Sequence, residues 1–193
     1  MDSNELKYLE ENFKKLGSLN TVIKKIEESQ KVWVEEEGNK ILYRYPKLLS
    51  VNTINSRGSS KNYIYVSSKI KDIELKKLFS DLEFGIMYDE NFKCDQYLSY
   101  FPYAGVHLKN KSQLSSLKDY FEKNISKTID RDFASKKDNC VWTGEGGVWI
   151  CFGEDCFNRD SGNLSAFPKN LNELSEQLNK LCNEVIRLIK NYK

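Results

Sequence analysis

Between Leu171 and Tyr192 the apolar residues Leu171, Leu174, Leu178, Leu181, Val185, Leu188 and Tyr192 recur at alternating steps of three and four. That spacing lays them along one face of an α-helix. A helix draws most of its stability from burying such a face, so this stripe must be covered by something. Asn170 at the cap and Glu173 three residues later resemble a capping box, with Asn standing where that motif has Ser or Thr. Two covers are conceivable. One is the chain's own sheet or N-terminal helices. The other is a second copy, since three heptads can form a coiled-coil seam. Cys182, Ile186 and Ile189 widen the stripe beyond a narrow seam. That width favours packing within the chain, and an oligomer through this helix is the alternative.

Other helical signals are shorter. Leu6, Leu9, Phe13 and Leu16 predict a first helix, which Gly17 ends. Leu19, Val22, Ile23 and Ile26 predict a second, so residues 1–30 read as a helical hairpin. Residues 72–82 and a segment after Ser112 (Leu114, Leu117, Tyr120, Phe121, Ile125) read as further helices.

Strand signals fill the middle of the chain. Val32–Val34 and Ile41–Tyr43 flank Glu-Glu-Glu-Gly-Asn-Lys and read as a β-hairpin turning at Gly38-Asn39. Residues 50–62, rich in Ser and Asn, read as a loop. Strands are expected at Tyr63–Val66, at Phe84–Tyr88 and over Tyr97–Lys109, where Pro102 interrupts. The clearest hairpin joins Cys140–Thr143 to Val148–Phe152. Strands joined by tight turns, with helices at the two ends, predict an α+β fold: a mainly antiparallel sheet flanked by the N-terminal helical hairpin and the long C-terminal helix. The 193 residues are read as a single domain, with 1–30 the hairpin, 31–167 a β-rich body and 168–193 the last helix.

Charge narrows the partners. A formal net charge of +2, from 25 Lys and 5 Arg against 28 acids, gives no electrostatic case for nucleic acid by itself. No apolar run reaches membrane-spanning length and the first residues are polar and acidic, so a cytoplasmic protein without a membrane partner is expected. Cys94, Cys140, Cys151, Cys156 and Cys182 are then read as reduced thiols. Cys151 and Cys156 form one loose pair, whereas a structural zinc site usually presents two close ones, so no metal or other cofactor is called for.

Motif by motif, catalysis finds little footing. Thr143-Gly144-Glu145-Gly146-Gly147 has the glycines of a phosphate loop, but a strand follows where that loop needs a helix N-terminus. It reads as a hairpin turn. His107 is the only histidine. Alternation puts it on one strand face with Lys109, opposite Val106 and Leu108, so it reads either as the best general-base candidate or as a rim histidine. Asp81, Glu83, Asp89, Glu90 and Asp95 surround one strand, and Glu154, Asp155 and Asp160 follow another. Acids at strand ends suit a Mg²⁺-dependent nuclease or related hydrolase, the alternative function. The one Glu-x-Lys, Glu74-Leu75-Lys76, lies in a helical pattern rather than on a strand.

Binding signals are stronger. Arg57 and Lys61 sit in a polar loop before Tyr63 and Tyr65, and Tyr97, Tyr100, Phe101 and Tyr103 bracket Pro102. Aromatic rings beside basic groups stack bases or anchor a protein partner, although rings of this kind are also ordinary core. The expected function is therefore a binding protein acting on a protein partner first, and on nucleic acid second. Its site is placed where 97–109 meets 140–152, on Tyr103, His107, Lys109, Trp142 and Glu145, with Arg57 and Lys61 as further contacts.

Overall fold

The computed structural model describes Thr21, Glu28 and residues 31–50, 55–56, 63–87, 101–126, 141–144, 146–151 and 171–192. The α+β reading is shown. Six antiparallel strands stand in the order β1-β2-β3-β4-β6-β5. They are β1 (Asn55–Ser56), β2 (Tyr63–Lys69), β3 (Phe79–Met87), β4 (Phe101–Leu108), β5 (Val141–Gly144) and β6 (Gly147–Cys151). Thr21 and Glu28 are helical, and the remainder of the expected 1–30 hairpin lies outside the described residues.

The largest correction falls on residues 31–44, which form a helix, α1, and not a hairpin. Val34, Glu37, Gly38, Ile41 and Leu42 are buried, while Val32 and Tyr43 stand exposed. That is a period near 3.6, and the isolated apolar triplets hid it. Gly38 is no turn residue. A Cβ there would lie 2.8 Å from Val66 Cγ2 and 3.3 Å from Phe84, so its missing side chain lets α1 approach the sheet. Lys40 and Glu37, three residues apart, pair at 2.6 Å along the helix.

Two smaller corrections concern boundaries. Asn55–Ser56, expected in a loop, pair with Ser67 and Val66 as β1. The helix expected over 72–82 is one turn, α2 (Leu75–Leu78), and Phe79 already begins β3. Phe79 and Leu82, three apart as on a helix, both reach the core because a register shift lies between them. The helix read after Ser112 is α3 (Leu114–Asn124), and the cap ahead of it comes from Asn110, whose side chain accepts from Ser112 N at 3.1 Å, opening a short 3-10 turn.

One sheet face is the core. Ile64, Val66, Leu82, Phe84, Ala104, Val106, Val148 and Ile150 point to it and are fully or almost fully buried. Against them lie α1, α3 through Leu117 and Phe121, and the final helix α4 (Leu171–Asn191). Leu178, Leu181, Val185 and Leu188 of α4 are completely buried within this single chain. Those four side chains are thus covered by the chain itself, as the width of the stripe led one to expect. Polar contacts tie the helices together. Arg44 Nη1 donates to Asn179 Oδ1 at 2.8 Å, and the Tyr45 hydroxyl donates to Asn183 Oδ1. Buried Glu184 accepts from Ser126 N at 2.6 Å, and Arg187 donates to the Asn124 carbonyl at 2.5 Å, closing the end of α3.

Pro102 sits inside β4 without breaking it. It pairs with Ile86 of β3.

Candidate functional site

Alternation leaves a second set of side chains on the opposite sheet face. Tyr103, Trp149 and Cys151 are buried there, with Tyr65 and Trp142 packed against them. The register orders them in rows. Tyr65 pairs with Gly85, Gly85 with Tyr103, and Tyr103 with Cys151. Glu83 pairs with Gly105, Gly105 with Trp149, and Trp149 with Trp142. The described helices pack by their apolar residues on the other, core face.

Glycines make the floor of this face. A Cβ on Gly105 would fall 2.3 Å from Trp149 Cδ1, and one on Gly147 would fall 2.7 Å from Cη2 of the same ring. The Trp149 indole therefore lies across β4 and β6 in space that any side chain would occupy. Trp142 stacks on it, with centroids 6.1 Å apart and planes 19° apart. Tyr103 meets Trp142 at 5.9 Å, and His107 meets Trp149 edge-on at 5.2 Å. Such offset and edge-to-face pairs suit the ring quadrupoles.

The polar centre of the face is Glu83. Its Oε1 accepts from the Tyr103 hydroxyl at 3.0 Å, and its Oε2 lies 3.0 Å from His107 Nε2. A carboxylate is acceptor-only, so Nε2 is the nitrogen that carries the proton. Glu83 and His107 keep 13% and 23% of their side-chain surface, so the centre is reachable from solvent at its rim. At the end of the β5–β6 hairpin Gly146 takes a φ of 89°, a left-handed backbone that suits glycine. A Cβ there would stand 2.9 Å from Lys111 Cε, so the Lys111 stem runs along the turn. Lys109 and Lys111 are exposed just beyond His107.

Of the residues proposed from sequence, Tyr103, His107 and Trp142 are thus brought to one face, with Lys109 at the strand end beside it. Arg57, Lys61 and Glu145 lie outside the described residues, as do Asp89, Glu90, Asp95, Glu154, Asp155 and Asp160. Two members escaped the sequence reading. Glu83 was visible only as one acid among five. Its alternation with Leu82 and Phe84 was the available signal, because it predicts a carboxylate on the non-core face. Trp149 was legible as a hairpin residue, but its place over Gly105 depends on which strand lies beside β6. Among the described residues no group of three His, Cys, Asp or Glu gathers as metal ligands would, and no helix is long and apolar enough to cross a membrane. Comparison of the chain with protein-family models, with curated proteins and with solved structures finds no match.

Proposed function

We propose that this chain is a cytosolic binding protein that engages a protein or nucleic-acid partner through the face carrying Tyr103, His107 and Trp142. The observation that supports it is a mixed face: buried aromatic rings under a partly open rim of Trp142, His107 and Glu83. Binding energy at contact surfaces concentrates in such Trp and Tyr anchors ringed by groups that exclude water. A net charge of +2 fits a protein partner, while the stacked tryptophans with Lys109 and Lys111 nearby fit nucleic acid. Catalysis has less support, because Glu83 is engaged by Tyr103 and His107 and no further His, Cys, Asp or Glu completes a metal-ligand group with them among the described residues.

The test is capture from host extract on immobilised protein, with and without nuclease treatment, beside incubation with DNA and RNA in Mg²⁺ or EDTA. A retained partner that Trp142→Ala loses supports the reading. Metal-dependent cleavage of either nucleic acid would replace it with the hydrolase.

A further inference from the structure

The rings of the outer face form a connected series. Trp142 is half-buried at the rim, and its ring centroid lies 5.9 Å from that of Tyr103 and 6.1 Å from that of Trp149. Rings this close exchange an electron faster than a ring radical is lost to solvent, so an oxidising equivalent taken up at one of them is shared among all three. What separates the rings is the fate of the proton. An oxidised phenol is a strong acid, and its oxidation is favourable only where a base receives the O–H proton. Tyr103, 1% exposed, donates its hydroxyl to Glu83 Oε1 at 3.0 Å. The other carboxylate oxygen, Oε2, accepts from His107 Nε2–H at 3.0 Å, so Oε1 is the oxygen placed to take the phenol's proton. Trp149 has no such outlet, because its Nε1–H is buried without a hydrogen-bond partner. Of the three rings, Trp142 is the one partly open to solvent and Tyr103 the one held against a base.

We propose that Tyr103 is a redox site, the residue on which a one-electron oxidation of this face comes to rest. An oxidising radical in solution takes one electron from the Trp142 indole and is itself reduced. Tyr103 then gives one electron to the indole cation radical, and its hydroxyl proton passes to Glu83 Oε1. The products are a neutral phenoxyl radical on Tyr103, a neutral carboxyl on Glu83 and a restored Trp142. The positive charge of the indole and the negative charge of the carboxylate cancel in this step, and the buried phenol never carries a charge of its own, which a dry site penalises. The electron and the proton leave Tyr103 in different directions, one toward Trp142 and one toward Glu83. The consequence is that the rim ring is repaired and the radical is held where solvent reaches least. The assignment does not depend on what the face contacts.

Pulse radiolysis in azide solution at neutral pH tests it, because the azide radical oxidises exposed indole in preference to phenol. In the wild-type protein, decay of the indolyl absorption is expected to match growth of the phenoxyl absorption in a first-order phase independent of protein concentration. Tyr103→Phe, which keeps the ring, should lose that phase and accumulate more oxidised Trp142 by mass spectrometry. Glu83→Gln, whose amide takes no proton, should slow it by about a hundredfold. Trp142→Phe should lose it as well, since neither Trp149 nor Tyr103 is exposed. Should one variant fail to fold, the other two give the same readout, and slowing of the wild-type phase in heavy water reports the proton step without any substitution. A wild-type protein with no such phase overturns the proposal, as does a phase that Tyr103→Phe leaves intact. An unchanged rate in Glu83→Gln overturns Glu83 as the proton acceptor. A sulfur-centred radical growing in place of the phenoxyl overturns Tyr103 as the resting place in favour of Cys151, its register partner.

Discussion

Glu83 is the residue on which the outer face turns. It satisfies the hydroxyl of Tyr103, which is only 1% exposed, and orients the sole imidazole of the chain. Glu83→Ala would remove the hydrogen bond that the buried phenol donates to a carboxylate, which costs about 1.5–3 kcal/mol. The expected outcome is a lower urea midpoint with an altered near-ultraviolet aromatic spectrum, and an unchanged midpoint would show that the network contributes nothing. Cys182 makes a second prediction. Burial in the core raises its thiol far above the ordinary 9.0. The folded chain then keeps a proton that the unfolded chain releases above pH 9.0, so stability is whole below that pH and falls as pH rises past it. The slope reaches about 1.4 kcal/mol per pH unit. Tyr45, raised by burial and by the neighbouring Cys182, adds to the fall only above its ordinary 10.0. Urea titrations between pH 9 and 10 should therefore show a slope that Cys182→Ala removes. An identical slope in the variant would contradict the assignment.

At the scale of elements, the chain was legible where one period ran long enough to decide. The α4 stripe of threes and fours spans more than five turns, and Leu174, Leu178, Leu181, Val185 and Leu188 are buried as that pattern demands. The hairpin of β5 and β6 was legible for a similar reason, since turn glycines divide two apolar runs. The α1 helix was not. Its apolar residues form two triplets separated by Glu-Glu-Glu-Gly-Asn-Lys, and Gly38 mimics a turn while serving helix–sheet contact. The register shift in β3 likewise gave strand residues a helical spacing. Only partner surfaces settle such cases, and a sequence does not display them. The burial of α4 carries its own test. Leu181→Asp places a carboxylate at a position with no solvent exposure, costing several kcal/mol. Unfolding or insolubility is expected. A folded variant with unchanged melting would mean that α4 does not pack as described.

The whole molecule divides its labour by sheet face. The core face holds α1, α3 and α4, and the hydrophobic period revealed α3 and α4 but not α1. The outer face holds Glu83, Tyr103, His107, Trp142 and Trp149. Tyr103, His107 and Trp142 were within reach of sequence: alternation separated His107 from Val106 and Leu108, and the 97–109 and 140–152 segments do meet. Glu83 and Trp149 were not, because strand order brings them to either side of Gly105, and they stand 66 positions apart in sequence. The central claim is that this face makes the contact. It is tested most directly by comparing Trp142→Ala with Tyr43→Ala, an exposed aromatic (68%) on α1 across the molecule, for retention of the captured partner. Loss of the partner in Trp142→Ala, with full retention in Tyr43→Ala at matched stability, is the predicted result. Equal retention in both variants would contradict the account.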